Sequence, residues 1–267
     1  MKSIRQILGA ALVFSLFGGT ALAQSPAGEA DAGSRSAPAE HPLKAAIKLA
    51  EQSQAAAAEL KSYRSLFTKR EMVRGQIFAS QMQMKFRTEP FSVYLRFVNP
   101  EHAGREVLFV EGQNNDQMLA HDTGLKALVG TVSLDPMSDM ALAEARHPVT
   151  RIGIESMVRG VAAQWEKESA YGEIDVKYFP EAKLGERPVL VIESSHPTRR
   201  NQFRFAITRL WIDKETRLPV RVQQYDFPAT PGGQPVLVED YAYTNIEPNV
   251  ELTDADFDAR NPSYQFR

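Results

Sequence analysis

The chain has 267 residues, a formal net charge of −2 and no cysteine. The absence of cysteine excludes disulfide bonds and cysteine-liganded metal sites. A mildly acidic chain has no overall electrostatic attraction to nucleic acid, so nucleic acid is not an expected partner.

The first 23 residues have the three parts of a secretory signal peptide. Lys2 and Arg5 make a positive start, residues 7–17 are mainly apolar, and residues 21–23 end in a small-x-small pattern. About 11 apolar residues are too few to span a bilayer, which takes roughly 20. We therefore expect cleavage after Ala23 and an exported, periplasmic protein that does not span the membrane. Without a cysteine at the cleavage point, an acyl anchor of the bacterial lipoprotein type is not expected.

Residues 24–41 are rich in Ala, Ser, Gly and Pro and hold no apolar side chain larger than alanine. Such a segment buries too little surface to order itself, so it is predicted to be a flexible linker. Residues 42–267 have no break in composition and are predicted to form a single domain. Its first element is a helix, because Leu43, Ala46, Ile47 and Ala50 follow helical spacing.

The pattern then changes to a period of two residues, which is typical of strands with one buried face. Apolar side chains alternate with polar ones in residues 82–87 and again in residues 91–97. The short break at residues 88–90 predicts a hairpin between these two strands. Two further strands are predicted at residues 105–110 and 117–121.

The middle of the chain is predicted to be helical. Asp135 followed by Pro136 is a typical helix start, and this helix is expected to end near His147, before Pro148. Thr150 is predicted to cap a second helix, whose apolar stripe ends at Trp165. Strands are then expected at residues 173–179, 188–192, 202–212, 218–225 and 235–243, and a capping box at residues 253–256 opens a last helical turn.

Sequential strands joined by short turns predict an α+β fold with a strongly curved antiparallel β-sheet and helices packed on its concave face. Two sets of residues also carry a family resemblance. Residues 85–94, 104–110 and 146–154 resemble the bacterial family called domain of unknown function 1571. Residues 210–221, 239–245 and 252–257 resemble the LolA-like superfamily, which includes periplasmic lipoprotein carriers, lipoprotein-sorting proteins and an envelope stress sensor.

The resemblance implies an unclosed half-barrel, and an apolar chamber for acyl chains between its concave face and its helices. Methionines and aromatic rings suit an adaptable apolar wall. The candidate lining residues are Met82, Met84, Phe86, Phe91, Val93, Leu95, Phe97, Met157, Val158, Val161 and Trp165. The same side chains are equally consistent with an ordinary core between sheet and helices.

Three cations of the predicted hairpin are candidates for contact with a lipid headgroup or a partner protein. Lys85, Arg87 and Arg96 share the polar face of this hairpin, where they favour phosphates or acidic groups. The alternative is a solvated outer face, which is common for charged side chains.

No pattern in the sequence favours catalysis. The five histidines have no spacing that places two ligands on one helix face, and no nucleophile elbow or phosphate-binding glycine loop is present. We therefore expect no enzyme, metal site or cofactor. The leading hypothesis is a periplasmic binder or carrier of lipids or lipoprotein acyl chains. The alternatives are an envelope sensor or scaffold that binds another protein through the same sheet, and a domain of purely structural role.

Overall fold

The computed structural model describes residues 40–230 and 232–266, without the side chains of residues 125–127. The predicted signal peptide and all but the last two residues of the predicted linker lie outside this range. The described residues contain two α-helices and one 11-stranded sheet. The elements are α1 Leu43–Ala58, β1 Ser62–Val73, β2 Gln76–Arg87, β3 Ser92–Phe97, β4 Glu106–Val110, β5 Met118–His121, β6 Thr131–Leu134, α2 Ile154–Glu168, β7 Asp175–Leu184, β8 Arg187–Ser195, β9 Ile207–Asp213, β10 Pro219–Asp226 and β11 Val236–Pro248.

The sheet is antiparallel throughout, with the strand order β6-β5-β4-β3-β2-β1-β11-β10-β9-β8-β7. Strands that are neighbours in the sheet are also neighbours in sequence except at its middle, where β1 pairs with β11. The edge strands β6 and β7 do not pair with each other, so the sheet does not close. The antiparallel sheet expected from the alternating patterns is confirmed, and so is its unclosed form, which the resemblance implied.

The two helices pack against each other and against β9 and β10 on one face of the sheet. Leu43, Ala46 and Ala50 of α1 are fully buried, as their spacing predicts. From α2, Trp165 enters the same layer and donates a hydrogen bond from Nε1 to Ser194 Oγ at 2.8 Å. This layer holds α2 against the concave face of the sheet.

The start of α2 differs from the prediction, because Thr150 does not cap it. The helix begins at Ile154, and two buried tyrosine hydroxyls accept hydrogen bonds from its first amides. Tyr63 accepts from the Ile154 amide and Tyr243 from the Gly153 amide, each at 3.1 Å. Helix starts leave such amides without internal partners, so the central strands β1 and β11 take the place of a local cap.

The predicted helix over residues 135–147 is wrong, since this segment forms turns. Asp135 accepts a hydrogen bond from the Met137 amide, and the Ser138 hydroxyl both donates to the Asp135 carbonyl and accepts from the Ala141 amide. Such local side-chain bonds compete with helical ones. Farther along, Glu144 and Arg146 are held by ion pairs to Arg105 and Glu239. These contacts hold the segment against the sheet, and it does not form a helix.

Two strand predictions also need correction. The strand expected from Gln202 begins only at Ile207, because Phe203 and Phe205 are buried in the loop before it. Strand β1, which is 12 residues long, was not predicted at all. The capping box at residues 253–256 is confirmed. Within the described residues, neither helix has the length and apolar character needed to cross a membrane.

Candidate functional site

A cavity of about 870 Å³ lies between the sheet and α2. Its lining comes from β1 to β6, from β10 and β11, from α2 and from the segment before α2. One cavity can touch so many neighbouring strands only because the sheet curves around it, which places the helices on the concave face as predicted. Ligand pockets in proteins typically measure about 300–1,000 Å³. The cavity reaches solvent at Val129 and Met140, which line it and are 73% and 69% exposed.

One part of this cavity, here called the apolar end, is lined by strands β2 to β6, by Phe67 of β1, by the segment before α2 and by the first half of α2. Five of the candidate chamber residues lie in its wall, namely Met82, Leu95, Phe97, Met157 and Val161. The remaining apolar lining residues were not predicted and include Phe67, Val107, Met118, Ala120, Val132, Leu134, Ala141, Val149 and Ile152. Several of them come from short strands or turns, where no periodic pattern marks them.

The other six candidate residues are elsewhere. Three of them face the same side of the sheet but are covered, namely Met84, Phe86 and Val93. The ring of Tyr63 stacks on that of Phe86, with 4.8 Å between the ring centroids, and the first residue of α2, Ile154, packs in the same cluster. Val158 and Trp165 are buried in the layer between α1, α2 and β9 to β10. Phe91 lines a separate cavity of about 520 Å³. The structure therefore brings only part of the predicted set to one site.

The register of β1 and β11 shows how polarity changes across the cavity. Phe67 is paired with Tyr243, Lys69 with Tyr241, and Glu71 with Glu239. Each step of two residues advances about 7 Å along a strand. The wall thus passes from aromatic to charged over about 13 Å, since Phe67 and Glu71 are four residues apart. The residues of this polar end are Lys69, Glu71, His147, Gln164, Lys167, Glu168, Gln202, Arg204, Gln224 and Glu239.

Two buried carboxylates stand opposite each other at the polar end. Glu71 and Glu239 are cross-strand partners and are 2% and 3% exposed. Like charges in this position repel, so both need cations. Lys69 Nζ lies 2.8 Å from Glu71 Oε2, and Arg146 Nε lies 2.9 Å from Glu239 Oε1.

Further contacts complete this pair. Tyr241 donates a hydrogen bond from its hydroxyl to Glu71, and His147 Nε2 lies 3.3 Å from Glu239 Oε1. Burial raises the pKa of Tyr241, and the nearby charges of Glu239 and Glu71 raise it further. Tyr241 therefore stays protonated and remains a donor. No sequence pattern identified this cluster, because its members are far apart in the chain and meet only in the fold.

The pKa of Glu239 carries a prediction about acid stability. Burial raises this pKa, but the hydrogen bonds and charges of His147 and Arg146 outweigh burial and hold it below its ordinary 4.5. The charged form is thus favoured in the folded state, so its contribution to stability is complete above the ordinary pKa and is lost as pH falls through the folded value. We expect Glu239→Gln to destabilise the protein at about pH 7 and to differ less from wild type at about pH 3.

The urea midpoints for unfolding of wild type and Glu239→Gln, measured between about pH 3 and about pH 7, test this expectation. The control is Glu247→Gln on the same strand, where the carboxylate is exposed and its ion pair with Arg64 spans 4.0 Å. That variant should follow wild type at every pH. A Glu239→Gln penalty that stays constant between neutral and acidic pH would contradict the assignment of a depressed pKa.

The three candidate headgroup cations lie away from the cavity, on the outward face of β2 and β3. There the C-terminal segment 252–266 pairs with Lys85 and Arg87. Lys85 Nζ is 2.8 Å from Asp256 Oδ1, and Arg87 Nη1 is 2.8 Å from Asp254 Oδ1. Arg96 is 3.7 Å from the fully buried Glu106.

Cavity chemistry gives no sign of a metal centre in the described part of the chain. No group of three or more His, Cys, Asp or Glu side chains in residues 40–230 and 232–266 has the geometry to hold an ion. His121 lines the cavity beside Asp122. The Asp122 carboxylate is engaged in an ion pair, since Arg105 binds both Asp122 and Glu144.

Comparison with known proteins supplies the family. A family profile described as "protein of unknown function (DUF1571)" matches residues 60–266. The chain belongs to this family. Membership of DUF1571, expected from the motifs at residues 85–94, 104–110 and 146–154, is confirmed. No curated protein matches the chain.

Several solved structures are similar to this DUF1571 protein. LprF from Mycobacterium bovis has 14% sequence identity and a TM-score of 0.46, and the match covers 80% of this chain and 98% of that one. The MucA/MucB complex of Pseudomonas aeruginosa has 14% identity and a TM-score of 0.45, with 80% and 60% coverage. A LolA superfamily protein from Nitrosomonas europaea has 10% identity and a TM-score of 0.33, with 79% and 96% coverage.

Proposed function

We propose that the cavity binds the acyl chain of a lipid or of an acylated protein, and that this DUF1571 protein is a binder or carrier in the periplasm. The observation that carries the proposal is the apolar end, an open space walled by Met82, Leu95, Phe97 and their neighbours. Burying an acyl chain gains about 0.8 kcal/mol per methylene, so apolar burial alone can drive such binding. The export pattern of residues 1–23 supports the compartment.

A non-enzymatic role agrees with the chemistry of the lining. The two buried carboxylates of the polar end are held by cations, Glu71 by Lys69 and Glu239 by Arg146, and a protonated Tyr241 donates to Glu71. The proposal requires no cofactor, since binding rests on burial and on hydrogen bonds.

Filling the apolar end tests the proposal. Ala120 and Ala141 line the cavity, and replacing both by phenylalanine inserts two rings where the chain of the ligand would lie. We expect Ala120→Phe with Ala141→Phe to weaken binding of a fluorescent dodecanoyl probe by at least about tenfold. Mass spectrometry of the purified wild-type protein should in addition detect co-purifying acyl compounds.

The matched control is the double variant Ala55→Phe with Ala79→Phe. Both alanines are exposed, one on α1 and one on β2, and neither lines the cavity. The control should bind the probe as wild type does, and thermal melts of both variants check that each is folded. Wild-type protein that carries no acyl compound and binds no probe would refute the proposal.

A second candidate is contact with another envelope protein, and one observation favours it. Four large apolar side chains stand exposed on the loops around β6, namely Leu128, Val129, Met137 and Met140. Exposed apolar groups that cluster in this way mark contact surfaces. If one stoichiometric protein partner co-purifies in place of acyl compounds, this second candidate replaces the first.

A further inference from the structure

Arg204 differs from the other charged groups that line the cavity. Its side chain is 61% exposed, and its Nη2 lies 3.7 Å from Glu239 Oε1. Within residues 40–230 and 232–266 its guanidinium donates no hydrogen bond, although it lies over the ring of Phe205 at 4.9 Å. A guanidinium has five N–H donors, so Arg204 keeps nearly all of its capacity to bind an acceptor.

Most of the remaining polar groups of the lining are engaged. The exceptions among the described residues include Lys167 and Arg151, whose side chains have no ion pair or hydrogen bond, and the buried atoms His121 Nδ1 and Glu168 Oε2. Arg105 donates from Nε, Nη1 and Nη2 to the carboxylates of Asp122 and Glu144. Lys69 donates to Glu71 and to the carbonyl of Glu144. Cations and carboxylates of the lining balance overall, so net charge does not choose a ligand, whereas the unused donors of Arg204 do.

The paired carboxylates Glu71 and Glu239 leave little for a cationic ligand. Glu71 accepts hydrogen bonds from Lys69, from Tyr241 and from the Arg146 amide. Glu239 has Arg146, His147 and Arg204 around one oxygen. Lys167, which has no ion pair among the described residues, adds a second exposed cation to the polar end.

We infer that the polar end binds an anionic group, phosphate or carboxylate, of the ligand whose acyl chain lies at the apolar end, and that Arg204 pairs with that anion. The inference rests on the proposed function. Guanidinium groups bind phosphate and carboxylate through two parallel hydrogen bonds, which adds direction to charge. The ligand is thus an anionic amphiphile held in one orientation along the gradient from Phe67 to Glu71.

Two ligands that differ only in the anion test this inference. The probes are 1-lauroyl lysophosphatidate and its neutral counterpart 1-lauroylglycerol, each titrated below its aggregation concentration. We expect wild-type protein to prefer the phosphate compound by at least about tenfold, which corresponds to ~1.4 kcal/mol. Dodecanoate against dodecanol repeats the comparison for a carboxylate. Because the exposed Arg204 is screened by salt, the preference should shrink as ionic strength rises.

The variants locate the preference. Arg204→Gln should bind the neutral compound as wild type does and lose most of the preference, and adding Lys167→Gln should remove the rest. Arg70→Gln is the matched control, since Arg70 is exposed on the opposite face of β1, has no ion pair in the described residues and does not line the cavity. It should keep the full preference.

The possible outcomes distinguish the anion site from the acyl site. Equal affinity of wild type for both compounds, or a preference that survives in the double variant, overturns the anion site while the acyl site stands. Failure of every acyl compound to bind refutes the proposed function and the anion site with it. Inorganic phosphate serves as a competitor: if it displaces lysophosphatidate completely at similar concentration, the anion site takes free phosphate and the amphiphile is rejected.

Discussion

Replacing Trp165 with alanine is expected to lower the free energy of unfolding by ~3–5 kcal/mol, the range seen for large aromatic side chains removed from a core. Trp165 has no solvent exposure and packs among Leu43 and Ile47 of α1 and Ile192 and Leu210 of the sheet. Its truncation leaves a void between three elements and leaves the Ser194 hydroxyl without its donor. Urea unfolding, with the slope checked for constancy, measures the loss.

Trp211→Ala is the control for this substitution. Trp211 is only half-buried, with the guanidinium of Arg221 over its ring at 5.1 Å, so its loss should cost clearly less. Stability and probe binding of the two variants also show whether Trp165 belongs to the core or to the chamber wall. Trp165→Ala protein that keeps its stability but binds the acyl probe poorly would place Trp165 in the chamber wall and contradict the packing described above.

Gly153→Ala is expected to destabilise the protein by about 3 kcal/mol, although it adds a single methyl group. Gly153 has a φ of 129°, where other residues carry strain of ~1–3 kcal/mol. A Cβ there would lie 3.1 Å from the Phe86 ring, and overpacking of this kind costs a further ~1–3 kcal/mol. The substitution also disturbs the amide that donates to Tyr243.

The same change seven residues later should have the opposite sign. Gly160 lies within α2, and a Cβ there meets no atom within 4 Å. Gly160→Ala should stabilise the protein by up to ~1 kcal/mol, because alanine is the better helix former. Thermal melts of both variants in one buffer make the comparison. Equal and small effects at the two positions would show that the start of α2 is not held as tightly as its contacts indicate.

The parts of the fold that the sequence predicted are those where one face is uniformly apolar. Apolar and polar residues alternate in the second half of β2 and along β3, and α1 and α2 each carry an apolar stripe. Strand β1 escaped prediction for a physical reason. Its inward positions include Ser65, Lys69 and Glu71 beside Tyr63 and Phe67, so its buried face reads as mixed.

The candidate site was predicted only in part, for a related reason. Met82, Leu95 and Phe97 could be assigned to an inner face, but which inner residues remain uncovered depends on where α2 begins, and that is set by Tyr63 and Tyr243. The polar end could not be predicted from the sequence because its ion pairs join segments that are far apart in the chain. The contacts of Lys85 and Arg87 on β2 could not be predicted either, since the segment that pairs with them comes last in the chain.

Pairing of β1 with β11 has a consequence for how the molecule is made. Glu71 and Tyr241, which bond across this pair, are 170 positions apart in the chain. Until β11 has joined the sheet, β1 has an open edge, and open edges recruit strands from other chains. Contacts this remote also delay folding, because a long loop must close before they form. The incompletely folded chain is therefore a state in which this protein is exposed to aggregation.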